Sequence, residues 1–306
     1  MFSDEKKVEI FRRHRARLFG IAYRMLGTHA ESEDILQEAY IKWHQANAEG
    51  IETPEAWLVT VVTRLSIDRL RKAASERETY IGPWLPEPLV VSDKPSPEEE
   101  LELASNLSLA FMVLLERLSP VERAAFLLHD IFDCDYTDIA RIVGKSETAS
   151  RQIVSRARVR VRADKPRFEA DAKEREKLIR KFSAASTAGD EKALLALFSD
   201  EIAMMSDGGG KVTAARKVIR GKAKLAHALR MFGAKYGALL KSVPYRINGE
   251  PGLLTFYNGK IFDATTFEFT DGKISGVYRV MNPDKLKAFA DINLATNDTN
   301  TTNKIK

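Results

Sequence analysis

The chain has almost no cysteine. Cys134 stands alone among 306 residues, which excludes an internal disulfide framework and any cysteine-based zinc site. Histidine is nearly as scarce: His14, His29, His44, His129 and His227 are scattered, none with a partner at metal-ligand spacing. Neither a metal nor a cofactor is expected. Long apolar runs are missing too, since none approaches the roughly 20 residues of a membrane span. The charged opening Met1 to Lys7 has no signal-peptide core behind it. A cytoplasmic protein without membrane attachment is the expectation. Acid is locally absent as well. Between Lys145 and Arg162, Glu147 is the lone acid among Lys145, Arg151, Arg156, Arg158, Arg160 and Arg162. That positive stripe sits in a chain whose net charge is only +5.

What is present suits two or three domains: 44% apolar residues for cores and 30% charged residues for surfaces. Residues 1–76 read as helical. Phe11, Leu18, Ala22 and Met25 share one helical face, and a second helix from about Ala30 to Gln45 turns Ile35, Leu36, Ala39 and Trp43 inward. Thr53-Pro54 opens a third helix, threonine as N-cap and proline at the first helical position, with Trp57, Leu58, Val61 and Leu65 as its apolar side. Residues 77–97 form a linker whose five prolines and one glycine forbid a continuous helix. Trp84, Leu85, Leu89 and Val90 are unusual in a passive tether, so this linker is expected to dock.

Residues 98–165 are helical again and hold a helix-turn-helix pattern: Tyr136 to Val143, the turn Gly144-Lys145, and Ser146 as N-cap of a long final helix. On that helix Ala149, Ile153, Ala157 and Val161 repeat at i+4 and face the preceding helix. Arg151, Ser155, Arg158 and Arg162 lie on another face, as a helix in the major groove requires. Residues 172–290 follow another grammar. Helices at Glu174–Ala188 and Glu191–Phe198 precede strand-like runs at Lys241–Asn248, Leu253–Tyr257, Lys260–Phe269 and Lys273–Val280. Tight-turn pairs Asn248-Gly249, Asn258-Gly259 and Asp271-Gly272 separate them. An antiparallel meander with helices on one side, an α+β domain, is expected. The Asn- and Thr-rich residues 291–306 read as a disordered tail.

The run Asp34-Ile35-Leu36-Gln37-Glu38, then Pro54 to Leu58, then Ile67-Asp68-Arg69-Leu70-Arg71 resembles region 2 of extracytoplasmic-function (ECF) sigma factors. Leu118 to Arg123 followed by Tyr136 to Ala140 resembles region 4 of the same factors. Trp84-Leu85-Pro86-Glu87-Pro88, Asp207-Gly208-Gly209-Gly210-Lys211 and Asn282-Pro283-Asp284-Lys285-Leu286 resemble the signatures of the sigma-factor group with a C-terminal SnoaL-like domain. The resemblance implies two all-α sigma domains and a cone-shaped α+β domain of the SnoaL/NTF2-like kind. It also implies a transcription-initiation factor rather than an enzyme, its third domain a built-in regulator.

The partners implied are core RNA polymerase, through the clamp helices of β′ and the flap of β, and promoter DNA at −35 and −10. Asp34, Gln37, Glu38 and Ile41 are then the polymerase face; taken alone, the acidic pair would read as a solvated surface. Arg64, Arg69, Arg71 and Lys72 suit −10 phosphates, and the loop from Asn47 through Glu49 to Ile51 suits an extruded base. Glu147, Ser150, Arg151, Gln152 and Ser155 are candidates for −35 base edges, while Arg156, Arg158 and Arg160 suit phosphates. Asp207 and Lys211 are expected to contact the linker or region 2, and Asn282-Pro283 to open the last helix against the same surface. Gly208 to Gly210 lacks the P-loop spacing and has Val212 after Lys211, so a tight turn is preferred to a phosphate cradle. Two rivals remain at this stage: a one-component DNA-binding regulator with a ligand-sensing domain, and an enzyme with a DNA-binding appendage. For the second, Asp207, His227 and Asp263 are acid–base candidates by type alone.

Overall fold

The computed structural model describes residues 3–47, 50–90, 107–162, 171–290 and 292. They fall into two compact units. The first holds the described residues up to Thr79, Leu107, and those from Phe111 to Arg162; the second holds Tyr80–Val90, Ser108–Ala110 and the described residues from Asp171 onward. Glu49, the linker beyond Val90, the start of the second helical block and nearly all of the tail lie outside the described residues.

The first unit is helical. α1 (Asp4–Leu26) is capped by the Ser3 side chain and ends at Gly27 in the left-handed conformation. α2 (His29–Gln45) and α3 (Pro54–Arg77) complete a three-helix layer. Trp43 is fully buried among them, and its indole N–H donates to the Lys7 carbonyl at 3.0 Å. α3 turns a different face inward from the one its large apolar residues suggest. Leu58, Val59, Val62, Ile67 and Leu70 are buried, whereas Trp57, Val61 and Leu65 are half-buried. Thr63 and Ser66 are buried in the same stripe. Ser66 returns its hydroxyl proton to the Val62 carbonyl, so two polar residues occupy core positions that a hydrophobicity pattern misses.

α4 (Leu109–Leu115), α5 (Pro120–Asp130), α6 (Tyr136–Val143) and α7 (Glu147–Arg162) follow. A capping box between Ser119 and Glu122 starts α5. The Asp135 carboxylate starts α6, and Gly144 ends it at φ 67°. At that φ glycine is favoured, because a Cβ would crowd the carbonyl. Ser146 then accepts from the Ala149 N–H at 3.2 Å to start α7. The helix-turn-helix therefore stands as read, with Ile153, Ala157 and Val161 buried and Ala149 half-buried.

Within this unit the two helical blocks pack on each other. Arg123, 1% exposed, donates to the Arg24 carbonyl at the end of α1 at 2.7 Å and shares Glu116 with Arg77. Burial lowers the Arg77 pKa. Arg17 donates to the Phe132 carbonyl. Arg64 on α3 donates to the Arg141 and Ile142 carbonyls at the end of α6, at 2.7 and 3.1 Å.

The second unit is a six-stranded sheet with helices against it. α8 (Ala172–Ala188), α9 (Glu191–Leu197) and α10 (Lys222–Tyr236) surround strands β1 (Phe198–Asp207), β2 (Ile219–Arg220), β3 (Leu240–Ile247), β4 (Glu250–Tyr257), β5 (Lys260–Thr270) and β6 (Lys273–Val280). The order is β2-β1-β6-β5-β4-β3. β3 to β6 form the expected antiparallel meander, but the sheet is mixed, because β1 runs parallel to β6. β1 escapes sequence reading because Asp200 and Glu201 interrupt its alternation. Phe182, Leu194, Phe198, Leu225, Leu229, Leu253, Ile274 and Val277 lie in the core. The chain closes with a 3-10 turn, Pro283–Phe289, capped by Asn282.

Candidate functional site

Three surfaces carry the sequence-based candidates. On α2, Asp34, Gln37, Glu38 and Ile41 are all exposed, at i, i+3, i+4 and i+7, and so share one face. Ile41 is 46% exposed, an apolar spot beside two carboxylates. Asp34 lies 3.7 Å from Arg69, and Glu38 lies 3.4 Å from Lys42. Both pairs are open to solvent and cheap to exchange for other cations.

On α3, Arg69, Arg71 and Lys72 sit at the surface, Arg71 paired with Asp68 at 2.9 Å. Arg64 is spoken for by the α6 carbonyls. Asn47 is exposed at the start of the loop that precedes α3.

On α7, Glu147, Arg151, Gln152, Ser155 and Arg156 are exposed. Glu147 holds Arg151 at 2.5 Å, and the guanidinium stacks over the Tyr136 ring at 4.3 Å. A guanidinium braced on both sides is presented as a fixed fork, which two-point binding of a guanine edge needs. Ser150 does not share that surface. It is fully buried and its hydroxyl donates to the Ser146 carbonyl, so it is not placed to touch bases. Arg158 is also engaged, with both carboxylate oxygens of Asp130 within 3.0 Å of its guanidinium. That hydrogen bond raises its pKa further. Arg160 pairs with Glu122 at 2.7 Å. Arg156 is the cation that remains outward.

The second unit holds a clasp on Asp207. This residue ends β1 beside the exit of β6, and its carbonyl accepts from the Met281 and Asn282 N–H groups at 2.7 and 2.8 Å. Its carboxylate is fully buried. It accepts from the Tyr80 hydroxyl (2.6 Å), the Leu85 N–H (2.9 Å), the Gly209 N–H (3.0 Å) and the Lys285 ammonium (2.7 Å). Lys285 also donates to the Leu85 carbonyl and lies over the Trp84 ring at 4.2 Å. Burial, and then the bond to Asp207, push the Tyr80 phenol far above its ordinary pKa. Asn282 donates to the Tyr80 oxygen, and Lys211 pairs with Asp284 at 2.5 Å.

The linker is thus docked on the third block. Leu85 is fully buried, a gain of about 2 kcal/mol for such a side chain. Pro86 and Pro88 are buried and Glu87 is half-buried. Farther on, Leu89 exchanges two hydrogen bonds with Asn248, and Val90 bridges Ile247 at the sheet edge. The glycine run has its reason here. A Cβ on Gly209 would stand 2.3 Å from the Asn282 amide, and one on Gly210 would stand 2.8 Å from Ile81. Both glycines also have positive φ. They admit close packing of the clasp rather than a phosphate.

The acid–base candidates do not converge. Asp207 is in the clasp and His227 is exposed on α10. Asp263 is buried in the cone of the sheet, where Arg279 donates to it at 2.6 and 2.9 Å and Thr265 at 2.7 Å. The cavity there is about 40 Å³, room for on the order of three waters. Among the described residues no group of three His, Cys, Asp or Glu is placed to hold a metal ion, and no helix is long and apolar enough to cross a membrane.

Sequence reasoning missed Tyr80 and Asn248 in the docking of the linker, and Arg123 in the packing of the helical blocks. The dipeptide Asn248-Gly249 was legible only as a turn.

Comparison with known proteins matches both helical blocks to one family of factors. Residues 10–76 match the Sigma-70 region 2 family, and residues 108–161 match the Sigma-70, region 4 family. The ECF RNA polymerase sigma factor SigJ of Mycobacterium tuberculosis is 36% identical over 290 residues, 91% of this chain and 93% of that protein. The probable ECF RNA polymerase sigma factor SigI of the same species is 28% identical over 279 residues, 90% of this chain and 93% of the relative. The crystal structure of SigJ superposes with a TM-score of 0.74 at 33% identity, covering 92% of this chain and 98% of that one. The match runs through the helical blocks and the mixed-sheet block alike, so the third block is part of the shared architecture. The chain belongs to the ECF RNA polymerase sigma factors.

Proposed function

We propose that this sigma factor carries its own regulator, and that the clasp on Asp207 holds it in a resting form. The α2 face of Asp34, Gln37, Glu38 and Ile41 engages the β′ clamp helices of core polymerase, while the region 4 block meets the β flap. The α3 cations and the loop after Asn47 serve the −10 element. Arg151 and Gln152 on α7 read bases at −35, flanked by Arg156 on phosphates. The chain acts where core polymerase acts, in the cytoplasm.

The need for a resting form follows from distance. The −10 and −35 elements lie roughly 25 base pairs apart, about 85 Å at 3.4 Å per step. In the first unit the two helical blocks touch at hydrogen-bond distance, Arg64 on the end of α6 and Arg123 on the end of α1. They cannot span a promoter until they part. Parting draws on the tether between them. Residues 80–90 could extend by roughly 35–40 Å when free, but they are pinned along the third block. Bound linker and open sigma are therefore in competition, and the third domain shifts that balance by its affinity for the linker. No catalytic role is assigned to it: the carboxylates of Asp207 and Asp263 each already hold a cation.

The observation that carries this reading is the fully buried Asp207 carboxylate, which ties Tyr80 and Leu85 of the linker to Lys285 of the closing turn. The test is in vitro initiation with core polymerase by the full chain, by chains ended near Asn282 and near Arg162, and by Asp207→Ala. Initiation should change by several-fold on removing the clasp. Equal initiation by all four would defeat the regulatory reading, and initiation by none would defeat the assignment of the polymerase and promoter faces.

A further inference from the structure

Between Gly208 and Gly249 the chain carries ten Lys and Arg and no Asp or Glu. With a net charge of +5 overall, everything outside that stretch sums to −5. The charge is concentrated further. Arg216, Lys217, Arg220, Lys222 and Lys224 lie on the loop before β2, on β2 itself and on the first turn of α10, and all five are exposed. Asp200 engages Lys222 at 2.5 Å. Among the described residues Arg216, Lys217, Arg220 and Lys224 have no ion pair.

Fold stability does not account for the cluster. β2 is an edge strand, and one cation there discourages pairing with another sheet, which explains Arg220 alone. α10 begins with Lys222 and Lys224 and no acid in its first turn. Cations at the positive end of a helix dipole are unfavourable by some tenths of a kcal/mol each. A protein partner is not what the patch fits either. No aromatic stands among these cations to anchor an interface; Val218 and Ile219 are partly covered, and Val212 and Ile81 nearby offer only small aliphatic spots, 36% and 54% exposed. Long flexible cations, four of them outside any ion pair among the described residues, match a partner that is anionic everywhere. Duplex DNA carries a charge about every 1.7 Å along its axis.

We propose that this face of the third domain binds the phosphate backbone of duplex DNA. The contact is independent of base sequence, because among the described residues neither Arg216 nor Arg220 is braced by an ion pair into the fixed fork that reading a base edge needs. It adds affinity for DNA to a protein whose sequence reading is done by α7. The proposal rests on the sigma-factor assignment only for the presence of promoter DNA; the binding itself is measured without polymerase.

The experiment is fluorescence anisotropy of the full-length chain on a labelled duplex that lacks promoter elements, over a salt series. The wild type is compared with R216A/K217A/R220A/K224A. A control variant, K173A/K177A/R180A/K181A, removes the same charge from exposed positions on α8, where Glu174 and Glu176 are interleaved. Circular dichroism and thermal melting confirm that both variants fold. The plot of log affinity against log salt should become shallower by about 2 to 4 in the patch variant, at about 0.9 per phosphate contact, with at least a tenfold loss at the lowest salt. The control should keep most of the wild-type slope. An unchanged slope in the patch variant, an equal loss in the control, or no measurable binding by the wild-type chain each overturns the proposal.

Discussion

Replacing Asp207 with alanine removes the acceptor for four donors at once. Lys285 is then left with its side chain 10% exposed and without its carboxylate partner, beside the Leu85 carbonyl and two aromatic faces. Removing one partner of a buried pair costs about 3–5 kcal/mol. The orphaned Leu85 N–H adds a further 1–3 kcal/mol if it stays buried. The two are not additive, because they share one site. A loss near 4 kcal/mol is expected if the second unit keeps its shape, a fall of about 10–15 °C in its melting temperature for a domain of this size. The molecule has a cheaper response. The linker can lift off, letting Lys285 and Leu85 reach water, and the cost is then capped at the docking free energy. Hydrogen exchange at the Leu85 and Leu89 amides distinguishes the two outcomes: whole-domain exchange in the first, local exchange over residues 80–90 in the second. Asp207→Leu with Lys285→Met should recover the part of the loss that comes from the stranded charge, but not the part that comes from the Tyr80, Leu85 and Gly209 donors, which still lack their acceptor. A cost below about 1 kcal/mol with unchanged protection at Leu85 would refute the reasoning.

Other consequences are simpler to measure. Asp34→Ala with Glu38→Ala should weaken binding to core polymerase at least tenfold while leaving the melting temperature within about 1 °C, because both side chains are exposed; titration with labelled sigma reads it. Arg151→Ala should lose about 1–3 kcal/mol of discrimination at one −35 base pair, seen by competition among single-base variants, whereas Ser150→Ala should leave base preference untouched. The Tyr80 phenol has a raised pKa in the folded chain. Its stabilisation is complete below the unfolded value near 10 and is lost as pH rises toward the folded value. The clasp should therefore loosen on going alkaline beyond about pH 10, and Tyr80→Phe should remove that part of the pH dependence in chemical-denaturation curves.

Much of this architecture could be read from residues. Thr53-Pro54, Gly144 and Ser146 mark helix ends because capping is local chemistry, and the Asn-Gly and Asp-Gly pairs mark hairpins for the same reason. What could not be read depends on neighbours far along the chain. Ser150 looks like a polar groove residue, but it lies on the buried side of α7 with a local hydroxyl bond. Arg158 looks free until Asp130 is brought alongside it. β1 hides behind Asp200 and Glu201, since its parallel partner β6 lies about seventy residues later. The glycines after Asp207 announce a turn, but only the approach of Asn282 and Ile81 shows why no side chain fits. The docking of the linker is foreshadowed by its apolar residues, and Asp207, expected to contact the linker or region 2, meets the linker at Leu85; Asn248 reads only as part of a turn, because its meaning comes from Leu89.

The central claim is that regions 2 and 4, packed together in the free chain, separate to work. Paired fluorophores on cysteines introduced at Arg13 and Val159, exposed positions on α1 and α7, in a Cys134→Ser background, report their distance by energy transfer. High transfer in the free chain should fall sharply when core polymerase and promoter DNA are added, and should fall partway in the Asp207→Ala chain alone. An initiating complex that retains the transfer efficiency of the free chain would contradict the account.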